Sequence, residues 1–244
     1  MDPARFGLIT HPGGALAAWI HWRVNPCPRD HCMPTKLSAL EALERLREGN
    51  LRFANNLSNP DKPLSHQRRE ELMSGQEPFA IILGCSDSRV PAEIIFDQGL
   101  GDLFVIRVAG NIVAPSQVGS VEFAVSRYHT RLVIVLGHSR CGAVTATLET
   151  LLDGEGTESR NVAAIVNRVM PAVRGLLDTE LRHDRPALLR ASVRANVRAS
   201  VDHLRHGSAI IESLIQDDGL VVIGAEYSLE SGMVDFFDGA PGGS

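Results

Sequence analysis

Apolar positions in this chain follow two periods. Four short runs, residues 79–84, 103–108, 132–137 and 220–225, are rich in aliphatic and β-branched residues and nearly free of polar ones. Such runs predict strands buried on both faces. The segments between them show helical spacing. Ser38-Ala39-Leu40-Glu41 has the form of a capping box, and Leu40, Leu43, Leu46, Phe53 and Leu57 then recur on one helical face. A second helix is predicted over 65–74, closed by Gly75, and Pro91 opens another in its first turn. Further helices are predicted over 116–128, with Val118, Val121, Phe123 and Val125 mostly inward, over 141–152, and over 161–177 with a bend at Pro171. One long helix is predicted over 186–216, with Leu189, Val193, Val197, Val201, Leu204, Ile211 and Ile215 as its stripe, ended by Asp217-Asp218-Gly219. The alternation predicts an α/β fold: a parallel-sheet core with flanking helices, and an antiparallel edge strand near the C-terminus, close to Phe237.

Residues 1–34 read differently. Pro3, Pro12, Gly13, Gly14, Pro26, Pro28 and Pro34 punctuate them and no periodicity survives, so a flexible extension is expected there. Residues 35–238 are expected to form a single domain, and the Gly-rich residues 239–244 a frayed tail.

The chain has 244 residues and a formal net charge of -5, so no bulk electrostatic attraction to nucleic acid or anionic membrane is expected. No run approaches the roughly 18–20 apolar residues of a membrane span. The stretch 15–20 is short for a signal peptide and has only Arg5 as a basic residue before it. Cytoplasm is the expected location. Four cysteines in a chain of this length do not make a disulfide framework.

Two of those cysteines stand at the chemically informative positions. Cys85-Ser86-Asp87-Ser88-Arg89 directly follows the first strand, and His138-Ser139-Arg140-Cys141 follows the third. Parallel sheets bind ligands beyond the carboxyl ends of their strands, so two thiols and an imidazole can meet at one sheet edge. Two cysteines and a histidine form a known catalytic zinc set with a fourth position for water. A helix starting at Cys141 favours its thiolate. Taken singly, each of the three is equally well a buried small hydrophobe or a satisfied loop histidine; the pairing at strand ends makes the metal reading much the stronger. Cys27, His31 and Cys32 are a weak candidate for a separate site. Asp87 and Arg89 lie two residues apart, and the guanidinium can hold the carboxylate ionised and oriented to accept a hydrogen bond from water on the metal. An ordinary loop-stiffening ion pair has the same spacing. A cysteine phosphatase loop is excluded by the C-x3-R spacing, and a glycine-rich phosphate loop by the lack of further glycines and a lysine after Gly99-Leu100-Gly101.

The paired Cys-Ser-Asp-Ser-Arg and His-x-x-Cys motifs, with the segment from Asp102 to Asn111 and Gly75-Gln76, resemble the β-class carbonic anhydrases over about residues 36–230. The resemblance implies Zn2+ on Cys85, His138 and Cys141, with Asp87 and Arg89 as the catalytic dyad and Asp87 as a conditional fourth ligand. It implies that Gln76, Phe104 and Phe123 help line a carbon dioxide pocket and that the Gly142 amide contacts bicarbonate. It also implies a homodimer or higher even oligomer. Some bacterial members carry a Trp three residues before the first cysteine, as part of an inhibitory bicarbonate site. Here Ile82 stands there, although Arg107 matches the arginine of that site.

The expected function is therefore reversible hydration of carbon dioxide to bicarbonate and a proton. Two thiolates cancel the charge of the ion, so the water on it is expected to be less acidic than the value of about 7 seen with three histidines. A carbonyl sulfide or carbon disulfide hydrolase on the same scaffold, and a catalytically silent zinc-binding assembly protein, are the alternatives. His129 is one candidate proton shuttle among nine histidines.

Overall fold

All four apolar runs become strands of one sheet. The computed structural model describes residues 37–58, 66–154 and 159–240. Its strands are β1 (Ala80–Gly84), β2 (Leu103–Arg107), β3 (Leu132–His138), β4 (Val221–Tyr227) and β5 (Val234–Asp238). They lie in the order β2-β1-β3-β4-β5. The first four are mutually parallel, and β5 pairs antiparallel with β4 as the edge strand expected near the C-terminus. Every residue of β1 and β3 is buried, as expected of central strands covered on both faces.

The helices are α1 (Ala39–Ala54), α2 (His66–Leu72), α3 (Ala92–Ile95), α4 (Pro115–Arg127), α5 (Gly142–Asp153), α6 (Arg160–Val173), α7 (Arg185–His206) and α8 (Ala209–Asp217). Strand alternation sorts the core into two layers. Ile82, Ile134 and Ile223 pack with Leu43 and Leu46 of α1 and Ile95 of α3. Ile81, Leu83, Val133, Val135 and Val222 pack with α4, α7 and α8 through Val121, Val125, Val197, Val201 and Ile211. Pairs of β-branched residues facing a helical stripe bury apolar area on each side, which is the dominant stabilising term.

Several predicted elements need correction. The capping box at Ser38 forms, with the Glu41 N–H donating to Ser38 Oγ and the Ser38 N–H to Glu41 Oε2. The buried stripe of α1, however, is Ala39, Ala42, Leu43, Leu46, Gly49 and Asn50; Leu40 points outward and Leu57 lies past the helix end. Small residues set that stripe, so large side chains alone misplace it. On α4, Val121, Ala124 and Val125 face inward and Phe123 is 47% exposed, because two residues turn a helix by about 200°. The α-helix containing Pro171 ends at Val173, and the chain continues as a 3₁₀ helix over Arg174–Asp178, so the α-helix stops short of residue 177. The single long helix over 186–216 is two: Gly207 caps α7, and Ser208 starts α8 by accepting a hydrogen bond from the Ile211 N–H. A glycine followed by an N-cap serine is a stop and a start, and the stripe passes across it because both helices pack on the same core.

α7 sits close to the sheet because two glycines make room for it. A Cβ at Gly137 would lie 2.5 Å from Val197 Cγ2, and one at Gly224 2.9 Å from Val197 Cγ1. Among the described residues no helix is long and apolar enough to cross a membrane. The 1–34 extension with Cys27, His31 and Cys32 lies outside the described residues, as does the tail from 241.

Candidate metal centre and catalytic site

Cys85 follows the last residue of β1, His138 is the last residue of β3, and Cys141 is the N-cap of α5. Gly84 pairs with Leu136, which brings the residue after β1 beside the end of β3. The two sulfurs and an imidazole nitrogen all lie within 4.8 Å of one another, and all three residues are buried. Both thiols are free of disulfides.

The local chemistry fits a metal ion. The His138 Nδ1–H donates to the Ser139 carbonyl at 2.9 Å, so in the neutral ring Nε2 carries the lone pair. That Nε2 is fully buried and has no hydrogen-bond partner. An orphaned buried nitrogen facing two sulfurs is costly unless a ligand completes it. Sulfur and imidazole donors in a set of three are the ligands of a catalytic zinc site. The thiols touch each other: the hydrogen bond from Cys141, opposed by burial and joined by smaller contributions from His138 and the Gly110 and Asp87 backbone groups, brings the Cys85 pKa down to about 4. The same contact, with burial, pushes the Cys141 thiol up, while the Ala143 and Val144 backbone of the first turn of α5 opposes the rise. Burial pulls the imidazole pKa down, but the neighbouring Cys85 thiolate raises it on balance.

Asp87 is clasped by Arg89. Arg89 Nε and the Arg89 backbone N–H donate to Asp87 Oδ1 at 2.9 Å each, and Nη2 donates to Oδ2 at 2.7 Å. These bonds hold the Asp87 carboxyl well below the usual carboxylate range. Its Oδ2 lies 3.9 Å from His138 Nε2, so the carboxylate borders the donor set. The loop itself is fixed by Arg107 at the end of β2, whose Nε donates to the Cys85 carbonyl at 3.0 Å and Nη2 to the Asp87 carbonyl at 2.6 Å. On the other loop, Arg140 adopts a left-handed backbone, φ 56°, and Arg89 Nη2 reaches its carbonyl at 3.4 Å. Glu230 braces that loop from the β4–β5 connection, accepting from Ser139 Oγ at 2.9 Å and Arg140 Nε at 2.8 Å. Arg107 as a backbone clamp and Glu230 as a brace are not evident from sequence, because their partners are 20 to 91 positions away.

The other expected site residues fall in two places. Gly142 opens α5 beside Cys141; the residue is exposed, and a Cβ there would meet nothing within 4 Å. Gln76, Phe104 and Phe123 gather with Tyr128 instead. Gln76 Nε2 donates to Tyr128 Oη at 2.9 Å, and the Phe104 ring lies 6.3 Å from Phe123 and 5.9 Å from Tyr128. Gln76 precedes β1, whereas Cys85 follows it, and a five-residue strand spans about 16 Å. Gln76 and the metal donors thus stand at opposite ends of the strand. His129 precedes β3, so it too lies at the end of the sheet away from His138.

The comparison with known proteins agrees with this geometry. The family model described as carbonic anhydrase matches residues 80–234, which contain both motifs. A carbonic anhydrase 2 of Mycobacterium tuberculosis is 41% identical over 192 residues, covering 78% of this chain and 89% of that protein. Among solved structures, the β-carbonic anhydrase CcaA superposes with a TM-score of 0.63 at 29% identity, over 81% of this chain and 95% of that one. A tetrameric β-carbonic anhydrase from Sordaria macrospora gives 0.62 at 26% identity, over 69% and 84%. With the family model matching residues 80–234 and a relative 41% identical over most of both chains, the chain belongs to the β-class carbonic anhydrase family.

Proposed function

We propose that this chain is a zinc-dependent carbonic anhydrase, interconverting carbon dioxide and bicarbonate, with Cys85, His138 and Cys141 as the zinc ligands. The observation that carries the reading is the buried, unpartnered His138 Nε2 facing two sulfurs beside an arginine-held carboxylate. When bound, zinc supplies Lewis acidity that makes water a nucleophile near neutral pH. Asp87, kept ionised by Arg89, offers only acceptor oxygens. It therefore orients the attacking O–H and, in the reverse direction, selects the bicarbonate that presents its hydroxyl. Gly142, at the N-terminus of α5, donates its backbone N–H to a bicarbonate oxygen.

Gln76, Phe104 and Phe123 fit the apolar pocket of a neighbouring copy better than that of their own chain, given the separation along β1. Exposed large apolar residues on α1, α3 and α4, including Leu40, Leu51, Ile94 and Phe123, support self-association into a homodimer or higher even oligomer. A cytoplasmic location suits two free, buried metal-binding thiols. Stopped-flow hydration of carbon dioxide by protein of known zinc content tests the activity. Turnover that scales with zinc supports it, and zinc-loaded protein without turnover contradicts it.

A further inference from the structure

The Cys85 sulfur accepts a hydrogen bond from the Gly110 N–H at 3.3 Å. That donor stands on an unusual turn. Gly110 has φ 71° and Asn111 φ 42°, two left-handed residues in succession. The Asn111 N–H closes the turn onto the Val108 carbonyl at 3.0 Å, but the buried Asn111 side-chain nitrogen has no partner, so no Asn111 side-chain bond from that nitrogen ties it. On one side it is wedged against α5, where a Cβ on Gly110 would lie 3.0 Å from Ala143 Cβ. On the other side α7 reaches it with two polar side chains. Asn196 Nδ2 donates to the Gly110 carbonyl at 2.7 Å, and Ser200 Oγ donates to the Asn111 carbonyl at 3.0 Å.

Asn196 and Ser200 are only 2% and 5% exposed. They lie four residues apart, on one face of the helix. Burying two polar groups on an apolar helix face is costly unless both are bonded, and each is bonded to this turn. Their neighbour Val197 seats the same helix against Gly137, the residue before His138. One helix face thus registers the turn beside Cys85 and the strand end carrying His138. Cys141 differs, because its backbone neighbours Ala143 and Val144 belong to its own helix.

We infer that Asn196 and Ser200 are positioning residues for the Cys85 ligand: they grip the two carbonyls of the 110–111 turn and so hold the Gly110 N–H on the sulfur. An N–H···S bond draws electron density from a thiolate and fixes its direction. Partners of this kind typically change metal affinity by about 10- to 100-fold. The inference rests on the proposal that Cys85 binds the metal.

The test uses the full chain loaded with cobalt(II), whose thiolate-to-metal absorption band reports the sulfur directly, together with the rate of zinc transfer to a chelator. Asn196→Leu and Ser200→Ala should shift the band to longer wavelength, and Asn196→Leu should release zinc about tenfold faster or more. Ser192→Ala is the control, since Ser192 is buried one turn earlier on α7 and its hydroxyl has no partner. It should leave both readouts unchanged. A band no further shifted in the two variants than in the control overturns the inference, and so does a lower melting temperature with an unmoved band. Should Asn196→Leu not fold, Ser200→Ala decides by the same criterion. The absence of any thiolate band in the unsubstituted cobalt protein would instead refute the ligand assignment, and the clamp with it.

Discussion

Arg89 holds both carboxylate oxygens of Asp87, through Nε at 2.9 Å and Nη2 at 2.7 Å. The pair keeps Asp87 turned toward the guanidinium and available as an acceptor. A carboxyl whose pKa is depressed in the folded state adds stability above its unfolded value of about 3.9, lost only as pH falls through the lower folded value. The clasp therefore does not titrate between pH 6 and 9. The rise in kcat/KM expected across that range would come from loss of a proton by the water that bound zinc would activate, and from that water displacing Asp87 wherever the carboxylate left Arg89 for the fourth position. Asp87→Asn should cut kcat/KM by about 100-fold or more. Arg89→Ala should do similar damage, because the freed carboxylate can then bind the metal. A flat profile, or a fully active Asp87→Asn enzyme with normal zinc, would reduce the pair to a loop-stiffening contact.

Bicarbonate should not inhibit through a second site. Ile82 is fully buried in the core, where some relatives of this class carry a tryptophan. Arg107 is already committed to the Cys85 and Asp87 carbonyls. Hydration rates measured against added bicarbonate should show simple product inhibition, and cooperative inhibition would contradict this.

Gly137→Ala should destabilise the protein by about 1–3 kcal/mol, the usual cost of overpacking. Its Cβ would press on Val197 Cγ2 at 2.5 Å, between a central strand and α7. Val197→Ala in the same chain should recover part of the loss, since neighbouring substitutions couple. Denaturant unfolding checks both, and a Gly137→Ala protein as stable as the wild type would show that α7 yields freely.

Deleting residues 1–33 should leave the melting temperature and hydration nearly unchanged. Those residues carry no periodic apolar face, and the family match begins at residue 80. A large fall in melting temperature or solubility on deletion would show that the segment packs on the domain.

Cys85, His138 and Cys141 were legible in the sequence because Cys85 and His138 directly follow apolar runs and Cys141 stands three residues further on, and strand ends in a parallel sheet fix where such residues meet. The Asp87–Arg89 contact was legible because it is local. Asn196, Ser200 and Glu230 were not, since their partners lie 86 to 91 positions away and a lone polar residue on a helix looks like a solvated one. The break at Gly207 was hidden by an apolar stripe that both helices share. Leu40 and Phe123 misled because size suggests burial, whereas the real stripes run through Ala39, Ala42 and Ala124.

Zinc content measured alongside hydration, in the wild type and in Cys85→Ser, His138→Ala and Cys141→Ser, tests the central claim most directly. The wild type should hold one zinc per chain, and each variant should lose the metal and the activity together. Full zinc content with normal hydration in the Cys141→Ser protein would contradict the assignment.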